Sequence, residues 1–225
     1  MEIMRHSPLL CMVRDIYMQN ETRKILQDLM LVYPQLLDLQ DAIIDAFTML
    51  AHCYNQDGKI LICGNGGSCS DTQHVVAELM KGFRKQRPLD INESLWRESP
   101  DIARQLQYGI PAISLCAHSS LISAYANDVS PDFVYAQQVF SYYLPNDVLI
   151  CFSTSGNSKN VVAAAQTMKA IGGKVISFTG SQGGQLEKYS DICLQVPQNE
   201  TYLVQEMHLP IYHCICSMLE EELFR

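Results

Sequence analysis

Several features are missing from this 225-residue chain, and each absence narrows what it can be. No stretch of about 18 apolar residues occurs, so no membrane span is expected. Lys and Arg total 16 against 24 Asp and Glu, giving a net charge of −8 with no basic run, and that is not a nucleic-acid footprint. There are nine cysteines but no CxxC. They are scattered, mostly within apolar runs, as buried thiols of a reducing cytoplasm would be, and they do not form a disulfide framework. The first residues mix Glu2, Arg5, His6, Arg14 and Asp15 among apolar ones, unlike a signal peptide. No internal repeat or low-complexity segment is present.

What is there suits a sizeable core. Hydrophobic residues make up 48% of the chain, a length that fits one α/β domain with helical additions. Residues 8–55 read as two helices: Leu9, Met12, Val13, Ile16 and Tyr17 recur at helical spacing, Pro34 interrupts, and a second stripe runs from Leu36 to Leu50. Beyond Asp57-Gly58 the pattern alternates. Short apolar strands are expected at 59–63, 111–116, 147–152, 174–179 and 191–196. Helices are expected between them at 71–83, ending near 127, and at 132–143 and 161–171. Residues 84–108 are polar and mixed and read as an excursion, with one helix at 102–106. A last helix covers 200–223, with a bend expected near residue 206 because Pro210 removes a ladder hydrogen bond. Five strands alternating with helices predict an α/β fold: a five-stranded, parallel, doubly wound sheet preceded by an N-terminal helical pair. The division expected is 1–57 for the helices and 58–225 for the sheet domain, with an inserted segment at about 84–110.

Ligands of such sheets sit at the carboxyl ends of the strands, and three of these strands end in Gly/Ser/Thr/Asn-rich loops. In the third, residues 153–158 read Ser-Thr-Ser-Gly-Asn-Ser just before a helix. Hydroxyls of Ser153, Thr154, Ser155 and Ser158, together with free N–H groups at a helix N-terminus, suit a phosphate; the alternative is an ordinary helix-capping turn. The first loop, Gly64-Asn65-Gly66-Gly67-Ser68-Cys69, offers Gly-x-Gly but has Cys69 where a dinucleotide fingerprint needs a third glycine. It reads instead as a loop whose backbone approaches a ligand closely.

Two helices carry titratable groups. His74 and Glu78 are four residues apart, so they share a helix face, able to bind a metal or move a proton, or simply to form a local surface pair. Gln205 and His213 lie eight apart, about 12 Å along a straight helix. One ion can take both only if the helix bends at Pro210 or the two come from different subunits.

The segments CGNGGSCSDTQHVVAEL, STSGNSKNV, SFTGSQGGQL and VQEMHLPIYH, in this order and spacing, resemble the SIS (sugar isomerase) family from about residue 40 to the C-terminus. The likeness is strongest to members that isomerise heptose phosphates. It implies a cytoplasmic homotetramer with N-terminal helices packed between subunits and active sites at subunit interfaces. It also implies an aldose–ketose isomerase that converts sedoheptulose 7-phosphate to D-glycero-D-manno-heptose 7-phosphate through an enediol. By the same resemblance, Ser153, Thr154, Ser155 and Ser158 cradle phosphate. Asn65, Gly66, Gly67, Ser68 and Gln205 contact substrate, and Glu78 and His213 are the acid/base pair. His74, Glu78, Gln205 and His213 are the ligands of one zinc ion per subunit. Two family aspartates are replaced, by His118 and Tyr202, which bears on the identity of the sugar. The alternative is a non-catalytic scaffold or sugar-phosphate sensor of the same family. Those relatives lose the acid/base residues that this chain keeps.

Overall fold

A computed structural model describes residues 18–224. The first expected stripe, Leu9 to Tyr17, lies outside the described residues. The chain enters through α1 (Asn20–Val32), a 3₁₀ turn begun by Pro34, and α2 (Gln40–Asn55). The five strands follow as β1 (Ile60–Cys63), β2 (Ala112–Ser114), β3 (Val148–Phe152), β4 (Lys174–Thr179) and β5 (Ile192–Gln195). Between and after them come α3 (Gly67–Met80), α4 (Ser94–Glu98), α5 (Pro100–Ala103), α6 (Ser119–Asp128), α7 (Val134–Tyr142), α8 (Lys159–Ala170) and α9 (Thr201–Leu223).

All strand pairs are parallel, in the order β2-β1-β3-β4-β5. Side chains alternate faces along a strand, and the sheet uses this to serve two cores. Ile60, Ile62, Ile150, Phe152, Ile176 and Phe178 join the cluster under α1, α2, α3 and α9. Leu61, Cys63, Leu149, Cys151 and Val175 join the cluster under α7 and α8. The N-terminal helices belong to the first of these cores, with Leu26, Leu29, Ile43, Phe47 and Leu50 buried in it. They also leave Leu31, Val32 and Leu37 exposed.

The strand order reverses between β1 and β3. Helix α3, after β1, packs on one face, and α8, after β3, packs on the other. The loops leaving these two strands therefore part around a crevice, the position where doubly wound sheets bind ligands.

Two expectations change. Helix α3 begins at Gly67 rather than Asp71, because the turn is made at Gly66, with φ 58°, and the chain is helical directly afterwards. The excursion after α3 holds two short helices, and its second ends at Ala103, since Pro100 starts it earlier than expected. The excursion is closed at its neck by a Pro88–Gln107 bridge and by the Tyr108 N–H to the Arg87 carbonyl, 2.8 Å. The last helix runs through Pro210, as expected. No helix among the described residues is long and apolar enough to cross a membrane, and the described cysteines are all free.

Candidate active site

The crevice between β1 and β3 is tied together by side-chain amides. Asn65, on the loop after β1, donates to Asn160 Oδ1 at 2.8 Å, and Asn160, in the first turn of α8, donates back to Asn65 Oδ1 at 3.0 Å. Tyr135 of α7 holds the same loop from below, its hydroxyl donating to the Gly64 carbonyl at 2.8 Å. Neither Asn160 nor Tyr135 stood out in the sequence, because each acts on a loop at least 70 residues away.

The hydroxyl-rich loop after β3 closes on itself without capping its helix. Ser153 donates to Ser158 Oγ at 3.0 Å, and Ser155 Oγ accepts the Asn157 N–H at 3.2 Å. Ser158 is the N-cap residue of α8, yet its side chain makes no capping bond, so the first N–H groups of the helix keep no side-chain partner from it. In the first turn Asn160 Oδ1 accepts the Val161 N–H at 3.0 Å, so the capping contact falls to Asn160 and not to the serines. Gly156, at φ 66°, allows the loop after β4 to press onto this one, since a Cβ there would collide with the Gly183 carbonyl. Ser153 and Ser68 are almost fully buried, whereas Ser155 and Asn65 are exposed.

Helices α3 and α9 lie side by side and run parallel. Gly67 faces Gln205, His74 faces Tyr212 and His213, and Phe83, just beyond α3, meets Glu220. A side chain at Gly67 would strike the Gln205 amide, so glycine here lets Gln205 reach the backbone of the first loop. Further along, His74 Nε2 lies 3.3 Å from His213 Nε2 and 3.3 Å from Glu78 Oε1. Glu78 and His213 therefore converge on one nitrogen within a single chain. Gln205 stays with the glycine loop, about two helical turns away, and does not join them.

Burial lowers the His213 imidazole below its ordinary value, His74 adds to this, and Glu78 opposes it. The His74 Nδ1 lies 3.0 Å from the Tyr212 hydroxyl, which donates to Asp71 Oδ1 at 3.3 Å. The Tyr212 phenol is raised, first by burial and then by Asp71. Asp71 shares a face with His74 and was within reach of the sequence as an i, i+3 neighbour. Tyr212 was not.

Two imidazoles and a carboxylate are donors that suit zinc, and ligands bonded at about 2.0–2.1 Å to a tetrahedral ion sit about 3.4 Å apart, close to both spacings at His74. Even so, no group of three or more His, Cys, Asp or Glu among the described residues is arranged to hold a metal ion within one chain.

The α3–α9 end is fixed by a buried pair. Arg87 Nε donates to Glu220 Oε1 at 2.8 Å, and its other nitrogens donate to the Leu79 and Glu78 carbonyls. Glu220 also accepts the N–H groups of Phe83, Arg84 and Lys85. His118 sits on α6's N-cap, 3.3 Å from the Tyr142 hydroxyl, and Tyr202 is exposed.

Comparison with known proteins adds three findings. SIS domain profiles match residues 32–109 and 115–218. A phosphoheptose isomerase of Helicobacter pylori is 39% identical over 182 residues, 81% of this chain and 84% of that protein. The structure of a phosphoheptose isomerase from Francisella tularensis matches with a TM-score of 0.69 at 30% identity, covering 80% of this chain and 86% of that one. That of Neisseria gonorrhoeae matches at 0.68 and 29% identity, covering 89% and 94%.

Proposed function

This chain belongs to the SIS domain family, and from that membership we propose that it is an aldose–ketose isomerase of heptose biosynthesis, converting sedoheptulose 7-phosphate to D-glycero-D-manno-heptose 7-phosphate. The observation that carries this reading is the meeting of His213 and Glu78 at His74 Nε2, on the same pair of helices whose other end borders the hydroxyl-rich loop. A scaffold of the same fold would need neither residue.

In this reading the loop at Ser153–Ser158 and the first N–H groups of α8 hold the phosphate. Asn65 and the glycines beside it line the sugar. The Glu78 carboxylate removes the proton from the carbon beside the carbonyl and returns it to the neighbouring carbon of the enediol. His213, neutral because its pKa is lowered, passes a proton between the two oxygens.

Zinc belongs to the proposal, and His74, Glu78, Gln205 and His213, brought together from more than one subunit, would hold it. When bound, such an ion polarises a carbonyl and steadies an enediolate. The open side of the cluster, where the His74 side chain is 41% exposed, is where a neighbouring subunit would complete the site. A cytoplasmic homotetramer built partly on exposed Leu31, Val32 and Leu37 is the assembly proposed, and light scattering on the purified protein measures it directly.

The test is to incubate the protein with sedoheptulose 7-phosphate, with and without zinc, and follow heptose 7-phosphate. Turnover lost on Glu78→Gln is expected; no turnover by the unaltered protein under either condition overturns the reading.

A further inference from the structure

A second cleft opens along α8, apart from the crevice between β1 and β3. Its volume is about 220 Å³, and it lies between the residues just before α7, the side of α8 and the loop after β4. Lys159, Val162, Ala163 and Gln166 line it from α8. Steps of three and four residues place these side chains on one stripe of the helix. Asn160, which faces Asn65 across the crevice, lies off that stripe. Of the hydroxyl-rich loop, only Asn157 reaches the cleft.

The lining joins an apolar base to polar walls. Val162 and Ala163 are buried, and Phe133 adds a ring that is 51% exposed. Gln166 and Gln185 are exposed, and neither carboxamide bonds to another described residue. Asn157 is held in place: its Nδ2 donates to the Ser155 carbonyl at 2.7 Å, and its Oδ1 accepts the Gln185 N–H at 3.1 Å. The two charges of the lining face each other, with Lys159 Nζ 3.7 Å from Asp132 Oδ2.

These groups select a ligand by their chemistry. A hydroxyl both donates and accepts, and a carboxamide offers one acceptor oxygen and two donor hydrogens, so Gln166 and Gln185 can each serve neighbouring hydroxyls. Asp132 adds an acceptor and Lys159 a donor. Their opposite charges offset one another, so an anion drawn to Lys159 would also meet the Asp132 carboxylate. The ring of Phe133 is an apolar plate against which the C–H face of a sugar is removed from water. An apolar base with a few convergent polar groups is the usual form of a small-molecule site.

We propose that this cleft binds one neutral, unphosphorylated sugar ring, seated on Phe133 and hydrogen-bonded by Gln166 and Gln185. The site is separate from the one that would hold a sugar phosphate, and it does not depend on the isomerase reading.

The experiment is saturation-transfer NMR and calorimetry on the full-length protein with D-mannose, an unphosphorylated pyranose. Binding at about millimolar concentration is expected, corresponding to about 4 kcal/mol. Phe133→Ala and Gln166→Ala replace exposed side chains, and a thermal melt confirms that each variant is folded. Each should weaken binding at least about threefold, the loss of roughly one hydrogen bond or one apolar contact. Glu78→Gln, altered in the candidate active site, should bind mannose as the unaltered protein does. Adenosine, whose flat base could also lie on Phe133, should not compete. No binding of mannose up to about ten millimolar overturns the proposal. So does binding that survives in both cleft variants, or is lost in Glu78→Gln, or is displaced by adenosine.

Discussion

His213 meets His74 nitrogen to nitrogen, Nε2 to Nε2 at 3.3 Å, across 139 residues of sequence. The parallel packing of α3 and α9 brings this about, and with it the chemistry of the whole site becomes a matter of how two helices are held in register.

Removing either proton-transfer group should stop the reaction without unfolding the chain. Glu78→Gln and His213→Gln should each cut the turnover number by about 10²- to 10⁴-fold, the usual contribution of a positioned acid or base. Product formation and a thermal melt, measured together, separate lost chemistry from lost fold.

The amide pair across the crevice should matter for binding rather than for chemistry. Asn160→Leu removes both hydrogen bonds to Asn65 and frees the first loop. KM for the sugar phosphate should rise by about 5- to 10-fold with kcat nearly unchanged, a loss on the order of one hydrogen bond's net contribution. A fall in kcat with KM unaltered would contradict this.

Arg87 and Glu220 should be the most costly surface-distant pair to break. Arg87→Ala leaves a carboxylate buried without its cation and should destabilise the protein by about 3–5 kcal/mol, read from denaturant unfolding. Burial raises the Glu220 carboxyl, but the Phe83 and Arg84 amides and Arg87 outweigh it, so the net value lies below the ordinary 4.5. The stability it contributes is complete above 4.5 and is lost as pH falls through the lower folded value. Acid unfolding of Glu220→Gln should show a shallower slope in that range.

His208 supplies a second acid-sensitive element. It is fully buried against Phe152 and Phe178, and burial lowers it from 6.5 to about 4 despite its contact with the Thr179 carbonyl. The unfolded chain therefore takes up a proton that the folded chain refuses, and stability should decline progressively from pH 6.5 to about 4. His208→Met should flatten that decline in melts recorded across the interval.

Much of the fold was legible because its signals are local. Each strand is a short apolar run, three of them closed directly by Gly64, Ser153 or Gly180, and all five were found to within one or two residues. Helix α3 began earlier than expected because its first residues, Gly67 and Ser68, look like loop and become helical only after the turn at Gly66. Within the site, the loops and the His74–Glu78 face were legible for the same local reason. The meeting of His74 with His213, the Asn65–Asn160 pair and the Asp71–Tyr212 link depend on packing between distant segments, and no spacing announces them. Nor does spacing reveal that Gln205 stays beside Gly67.

The register of α3 against α9 also acts as a ruler. Gly67, beside the glycine loop, and His74, beside His213, are seven residues apart, about 10 Å of helical rise. In the proposed reading the sugar lies along this stretch, so a one-turn slip of α9 against α3 should move His213 about 5 Å from His74 and abolish turnover while the glycine loop stays in place.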